Sequence, residues 1–157
     1  MTNDSPSMKS LCVYCGSNAG SKPVYAERAM ALGDRLAKDG LRLVYGGGNV
    51  GLMGTVANAV LDAGGQVTGV IPQQLADWEV AHRGLTELEI VDSMHARKMR
   101  MFELSDGFVA LPGGFGTMEE IFEMLTWRQL GIGHKPCAFL DIDGFYAPLI
   151  GMIDRMV

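Results

Sequence analysis

Short apolar runs alternate along this chain with longer stretches of helical periodicity, and three of the runs end in clusters of glycine. Residues 10–15 read as a strand closing in Gly16-Ser17-Asn18. A helix over 23–39 follows, opened by Pro23 and closed by Gly40 as a C-cap. A second strand over 41–45 ends in Gly46-Gly47-Gly48-Asn49-Val50-Gly51, and a second helix over 52–63 stops at Gly64-Gly65. The third strand, 66–71, breaks at Pro72, and 73–85 lapse into a loop or short helix. Next come a strand over 86–91, a helix over 94–105 and a strand over 108–111. A helix over 118–130, a strand over 136–140 and a last helical run complete the pattern.

Strands and helices alternating at this spacing specify an α/β class: a doubly wound, mainly parallel sheet of about six strands with helices on both faces. In such sheets ligands bind beyond the carboxyl ends of the strands, where the strand order reverses. The three glycine-bearing segments all fall at strand carboxyl ends, so they are expected to converge on one crevice. That makes Gly16 and Ser17, Gly47, Gly48 and Asn49, and Gly113 to Gly116 candidate ligand contacts. For the 46–51 loop, close packing of helix on strand is an equal alternative. The length of 157 residues fits one domain over 9–157, preceded by a polar, loose tail over 1–8.

Composition removes several classes of function. The net charge is −5 with no Lys/Arg block, which argues against nucleic-acid or anionic-membrane partners. No apolar run has bilayer length and no signal-peptide pattern opens the chain, so the expected compartment is the cytoplasm. Cys12 and Cys15 have redox-motif spacing, but three positions along a strand face opposite sides, which suits neither a disulfide nor a shared metal. His82, His95 and His134 are scattered without metal-ligand spacing, and no metal is expected. Neither glycine segment carries a Walker lysine or a clean dinucleotide fingerprint.

The richest stretch is Leu111-Pro112-Gly113-Gly114-Phe115-Gly116-Thr117-Met118-Glu119-Glu120. A strand that breaks at Pro-Gly-Gly and enters a helix through Gly-Thr turns main-chain N–H groups outward. With the positive end of the helix dipole they form a site for phosphate. Glu119 and Glu120 are read into the first helical turn, beside that site. In the preceding helix Arg97 interrupts an apolar stripe of Met94, Met101 and Leu104. A guanidinium there needs partners: an internal salt bridge, an exit to water, a substrate phosphate or a catalytic carboxylate. Lys98 is turned about 100° from it, toward the edge of the same site. Desolvation raises the pKa of Glu120 in this reading, and a nearby Arg97 lowers it. The helix after the loop is apolar on two sides, which points to a subunit interface or a covering loop.

Three segments together resemble the LONELY GUY family of cytokinin riboside 5′-monophosphate phosphoribohydrolases. They are Gly46-Gly47-Gly48-Asn49-Val50-Gly51-Leu52-Met53-Gly54, Met94-His95-Ala96-Arg97-Lys98, and Pro112-Gly113-Gly114-Phe115-Gly116-Thr117-Met118-Glu119-Glu120. The resemblance implies a Rossmann-like subunit, a homodimer, and release of an N6-modified adenine from its nucleoside monophosphate without a cofactor. It implies ligand contacts at Glu79, Lys98, Gly113, Gly114, Phe115, Gly116, Thr117, Met118, Glu119 and Thr126, with Arg97 and Glu120 as the catalytic pair. Such chains have also carried the label lysine decarboxylase. That chemistry normally uses pyridoxal phosphate on a Schiff-base lysine, and none of the five lysines lies in a recognisable aldimine motif. The expected reaction is hydrolysis of the N-glycosidic bond, giving free base and ribose 5-phosphate. A nucleotide or cofactor carrier using the same pocket without turnover is the alternative.

Overall fold

The computed structural model describes residues 7–78 and 80–157. Within them, β1 (Ser10–Tyr14), β2 (Arg42–Tyr45), β3 (Val67–Pro72), β4 (Glu87–Val91), β5 (Phe108–Ala110) and β6 (Cys137–Phe139) form one sheet. The strand order is β4-β3-β2-β1-β5-β6, and every neighbouring pair is parallel. Five helices connect or flank the strands: α1 (Pro23–Lys38), α2 (Gly51–Asp62), α3 (Met94–Leu104), α4 (Phe115–Gln129) and α5 (Ala147–Met156). The α/β doubly wound architecture is therefore as expected, with a sheet that is wholly parallel rather than mainly so.

The two faces follow from chain direction. From β1 the strands step toward β4, and right-handed crossovers put α1 and α2 on one face. Leu43, Tyr45 and Val67 point into that layer against Ala29, Leu36, Val56 and Val60. The connection from β4 to β5 runs back across the sheet, so the same handedness puts α3 on the opposite face. There Met101 meets Ile121 and Met124 of α4 over Cys12, Tyr14, Val44 and Ala110. Cys12 and Cys15 are both buried and fall in different layers, on opposite faces as the strand reading required.

Most boundaries shift by one residue from the sequence reading, and two of the differences have a clear physical reason. Pro72 belongs to β3 as its last residue, paired with Val91, because a final strand position tolerates a missing N–H. The fourth helix begins at Phe115, three residues earlier than expected, with Gly114 as N-cap. Glycine in a helix interior costs about 1 kcal/mol against alanine, which argued for placing Gly116 outside it. In the first turn the N–H groups lack intrahelical acceptors anyway, and glycine is accepted there. Glu119 and Glu120 consequently lie in the second turn, not the first.

Candidate active site

Strand order reverses between β1 and β5, and at the carboxyl ends there the chain encloses a cavity of about 200 Å³. Val13, Tyr14 and Cys15 line it from the end of β1, and Gly16 and Ser17 from the turn that follows. Gly46, just past β2, and Met53 of α2 close a second side. Arg97 of α3 and Gly114, Gly116, Thr117 and Glu120 of the α4 entry complete the wall. Each of the three glycine segments sends at least one residue into this cavity.

The Arg97 side chain is buried, at 5% exposure, with Met101 one turn on at 0%, as the apolar stripe required. Main-chain carbonyls anchor it. Nε donates to the Val70 carbonyl at 2.9 Å, and Nη2 to the Gly46 carbonyl at 2.5 Å. A guanidinium carries five N–H donors in a rigid fork, so holding two on the sheet fixes the plane of the group. The planar head therefore reaches the cavity wall that Glu120 shares.

At the α4 entry, Gly114 is extended and Met118 makes the first intrahelical bond, to the Gly114 carbonyl at 3.1 Å. The N–H groups of Phe115, Gly116 and Thr117 precede any intrahelical acceptor, and the dipole's positive end coincides with them. Space around Gly114 and Gly116 is open: a Cβ on either would meet nothing within 4 Å. That combination suits an anion approaching main-chain donors. Burial is the first cause holding protonated both the Tyr14 phenol, which lines the cavity, and the Cys12 thiol of the same strand. The Glu120 carboxylate pushes Cys12 up next, and on Tyr14 it acts after Cys12 itself. Glu120 therefore lies close enough to both for its charge to be felt.

Other candidates sit around the cavity rather than on it. Lys98 Nζ is paired with Glu119 at 2.5 Å and Glu123 at 2.7 Å, and those two carboxylates hold its pKa above the ordinary lysine value. The Thr126 hydroxyl donates to the Phe122 carbonyl at 2.7 Å on the exposed side of α4. Phe115 is 96% exposed, Met118 packs against the α3–α4 core, and Gly113 lines a neighbouring pocket with Tyr25, Pro112 and Phe145. Gly47, Gly48 and Asn49 instead dock the 80–82 segment. Asn49 N–H donates to Val80 at 2.8 Å, His82 N–H to Gly47 at 2.9 Å, and Gly48 bridges Ala81. Glu79 lies outside the described residues. Among the described residues no group of three or more His, Cys, Asp or Glu could hold a metal ion. No described helix is long and apolar enough to cross a membrane.

Sequence reasoning missed Val13, Tyr14, Cys15, Gly46 and Met53 as wall residues. Gly46 had a signal, since it is the first glycine directly after a strand. The others give no sign of a cavity role in sequence, and that role depends on strand order.

Residues 53–157 match a family model described as "Possible lysine decarboxylase". A rice protein named "Probable cytokinin riboside 5'-monophosphate phosphoribohydrolase LOGL1" is 52% identical over 145 residues. That alignment takes in 92% of this chain, which spans 65% of the rice protein's length. A Rhodococcoides fascians protein named "Cytokinin riboside 5'-monophosphate phosphoribohydrolase" is 53% identical over 151 residues, covering 96% of this chain and 76% of its own. Among solved structures, a molybdenum cofactor binding protein from Rippkaea orientalis superposes with a TM-score of 0.75 at 23% identity, over 96% of this chain and 87% of that one. At that identity the likeness is one of fold.

Proposed function

The chain belongs to the LONELY GUY family, with the cytokinin riboside 5′-monophosphate phosphoribohydrolases just named, and from that premise we propose that it hydrolyses the N-glycosidic bond of N6-modified adenosine 5′-monophosphates. The observation that carries the reading is the meeting of Arg97, Glu120 and the α4 N-terminus at one cavity. The 5′-phosphate is held by the first-turn N–H groups of α4 and by Thr117, which fixes the ribose against the second turn. As the bond from C1′ to the purine nitrogen breaks, positive charge grows on the ribose. The Glu120 carboxylate stabilises that charge and takes a proton from the attacking water. Water oxygen joins C1′, the departing base gains a proton, and the products are free base and ribose 5-phosphate. Arg97, held by the Val70 and Gly46 carbonyls on the wall that Glu120 shares, orients that carboxylate.

Glu79, Lys98 and Thr126 complete the set of ligand contacts in this proposal, on the family resemblance alone. A homodimer in the cytoplasm is part of the same reading, supported by exposed apolar side chains such as Trp78 and Phe115 in the segments that follow β3 and β5. A decarboxylase reading is less favoured. A Schiff-base lysine needs a lowered pKa, and the carboxylates beside Lys98 raise it.

Incubation with N6-isopentenyladenosine 5′-monophosphate should release free base and ribose 5-phosphate. Glu120→Gln should cost roughly 10²–10³-fold in kcat while leaving Tm near the wild-type value. A variant that turns over normally removes Glu120 from the chemistry. Nucleotide-induced thermal stabilisation with no product would instead favour the carrier reading.

A further inference from the structure

We propose that Gly46 is a positioning residue: its missing side chain is the berth in which the Arg97 guanidinium is held on the cavity wall, so that any Cβ there turns the guanidinium away from Glu120. This rests on the hydrolase reading for its catalytic consequence and on geometry alone for the berth.

An ideal Cβ on Gly46 would stand 2.3 Å from Arg97 Nη2 and 3.2 Å from Cζ, with the Met53 sulfur 3.4 Å away. Contacts under 3.0 Å are not tolerated, so one partner must shift. Arg97 has no slack in its present place, because Nε is tied to Val70 and Nη2 to the Gly46 carbonyl itself. Backbone conformation is not what demands glycine. Gly46 is absent from the positive-φ glycines, whereas its neighbour Gly47 has φ +81°. Alanine therefore fits the main chain at 46, and its methyl group meets the guanidinium. A Rossmann-type packing role predicts a loss of stability from that substitution; a berth predicts a displaced arginine in a folded protein.

Gly46→Ala is compared with wild type for nucleotide cleavage, Tm, and the Arg97 Nε–H resonance in arginine-labelled protein. The expected result is a fall in kcat of roughly tenfold to hundredfold, with KM moved by less than about threefold and the Nε–H signal shifted. The same alanine is then placed in Arg97→Lys protein. A lysine ammonium ends one bond short of Nη2, so the methyl should cost less than about twofold there. Equal losses in both backgrounds overturn the proposal, and so does an unmoved Nε–H signal. Should Gly46→Ala alone fail to fold, Gly46→Ala with Arg97→Lys is expected to fold; an unfolded double variant counts against the berth. If wild type cleaves none of the nucleotides tested, the hydrolase reading falls by itself and the Nε–H signal still decides the berth.

Discussion

His82 is 8% exposed, and both of its ring nitrogens are engaged. Nδ1 accepts the Gly84 N–H at 3.0 Å, so the proton sits on Nε2 and is donated to Asn58 Oδ1 at 2.7 Å. Burial lowers its pKa from the ordinary histidine value. In the window below about pH 6.5 the unfolded chain takes up the proton first, so stability is full above that pH and declines as pH falls toward the folded pKa. We expect Tm to drop between pH 7.5 and 5.5, and His82→Gln to flatten that slope; a variant with the wild-type slope assigns the decline to other groups. The same scale shows what residues alone disclose. Met94, Met101 and Leu104 marked Arg97 as facing inward, and the structure agrees. That the Val70 and Gly46 main-chain carbonyls take two of its donors was invisible, because every residue carries a carbonyl and only the fold decides which two point at a guanidinium.

At the scale of elements, turns are where the chain is least free to vary. Gly51 opens α2 at φ +58°, and a Cβ there would lie 2.3–2.5 Å from the main chain of Ser17 and Asn18. Gly40, past the end of α1, has φ +69° with nothing within 4 Å of an added Cβ. The pair separates conformational strain from collision. Gly40→Ala should cost about 1–2 kcal/mol from the left-handed backbone alone. Gly51→Ala adds a backbone overlap and should cost roughly 2–5 kcal/mol, read by urea denaturation. It should also weaken nucleotide binding, since the main chain it displaces belongs to Ser17 on the cavity wall. Equal costs at the two positions would mean that the Ser17 turn yields. Strand and helix types were legible from periodicity, while the start of α4 was not. Propensity counts against Gly116 in a helix, yet at a first turn the open donors make glycine acceptable.

At the scale of the molecule, the cavity exists because the chain reverses its direction across the sheet after β4. Order β4-β3-β2-β1-β5-β6 sets β5 beside β1, and right-handed crossovers then commit α3 and α4 to one face. Arg97 and Glu120, on different helices, face one space only through that step. No local pattern encodes it, and the glycine clusters at strand ends were its sole trace in the sequence. What covers the exposed apolar side chains follows from the same arrangement. Trp78 at 85% and Phe115 at 96% exposure lie in the segments that follow the carboxyl ends of β3 and β5. Exposed aromatic groups of this size near a ligand site are favoured as contact residues between chains. We therefore expect light scattering to give twice the 16.9 kDa chain mass, and Tm to rise with protein concentration as mass action requires of a dimer. A concentration-independent Tm together with the single-chain mass would leave the cavity open to solvent on that side, and the second copy would drop out of the proposed function.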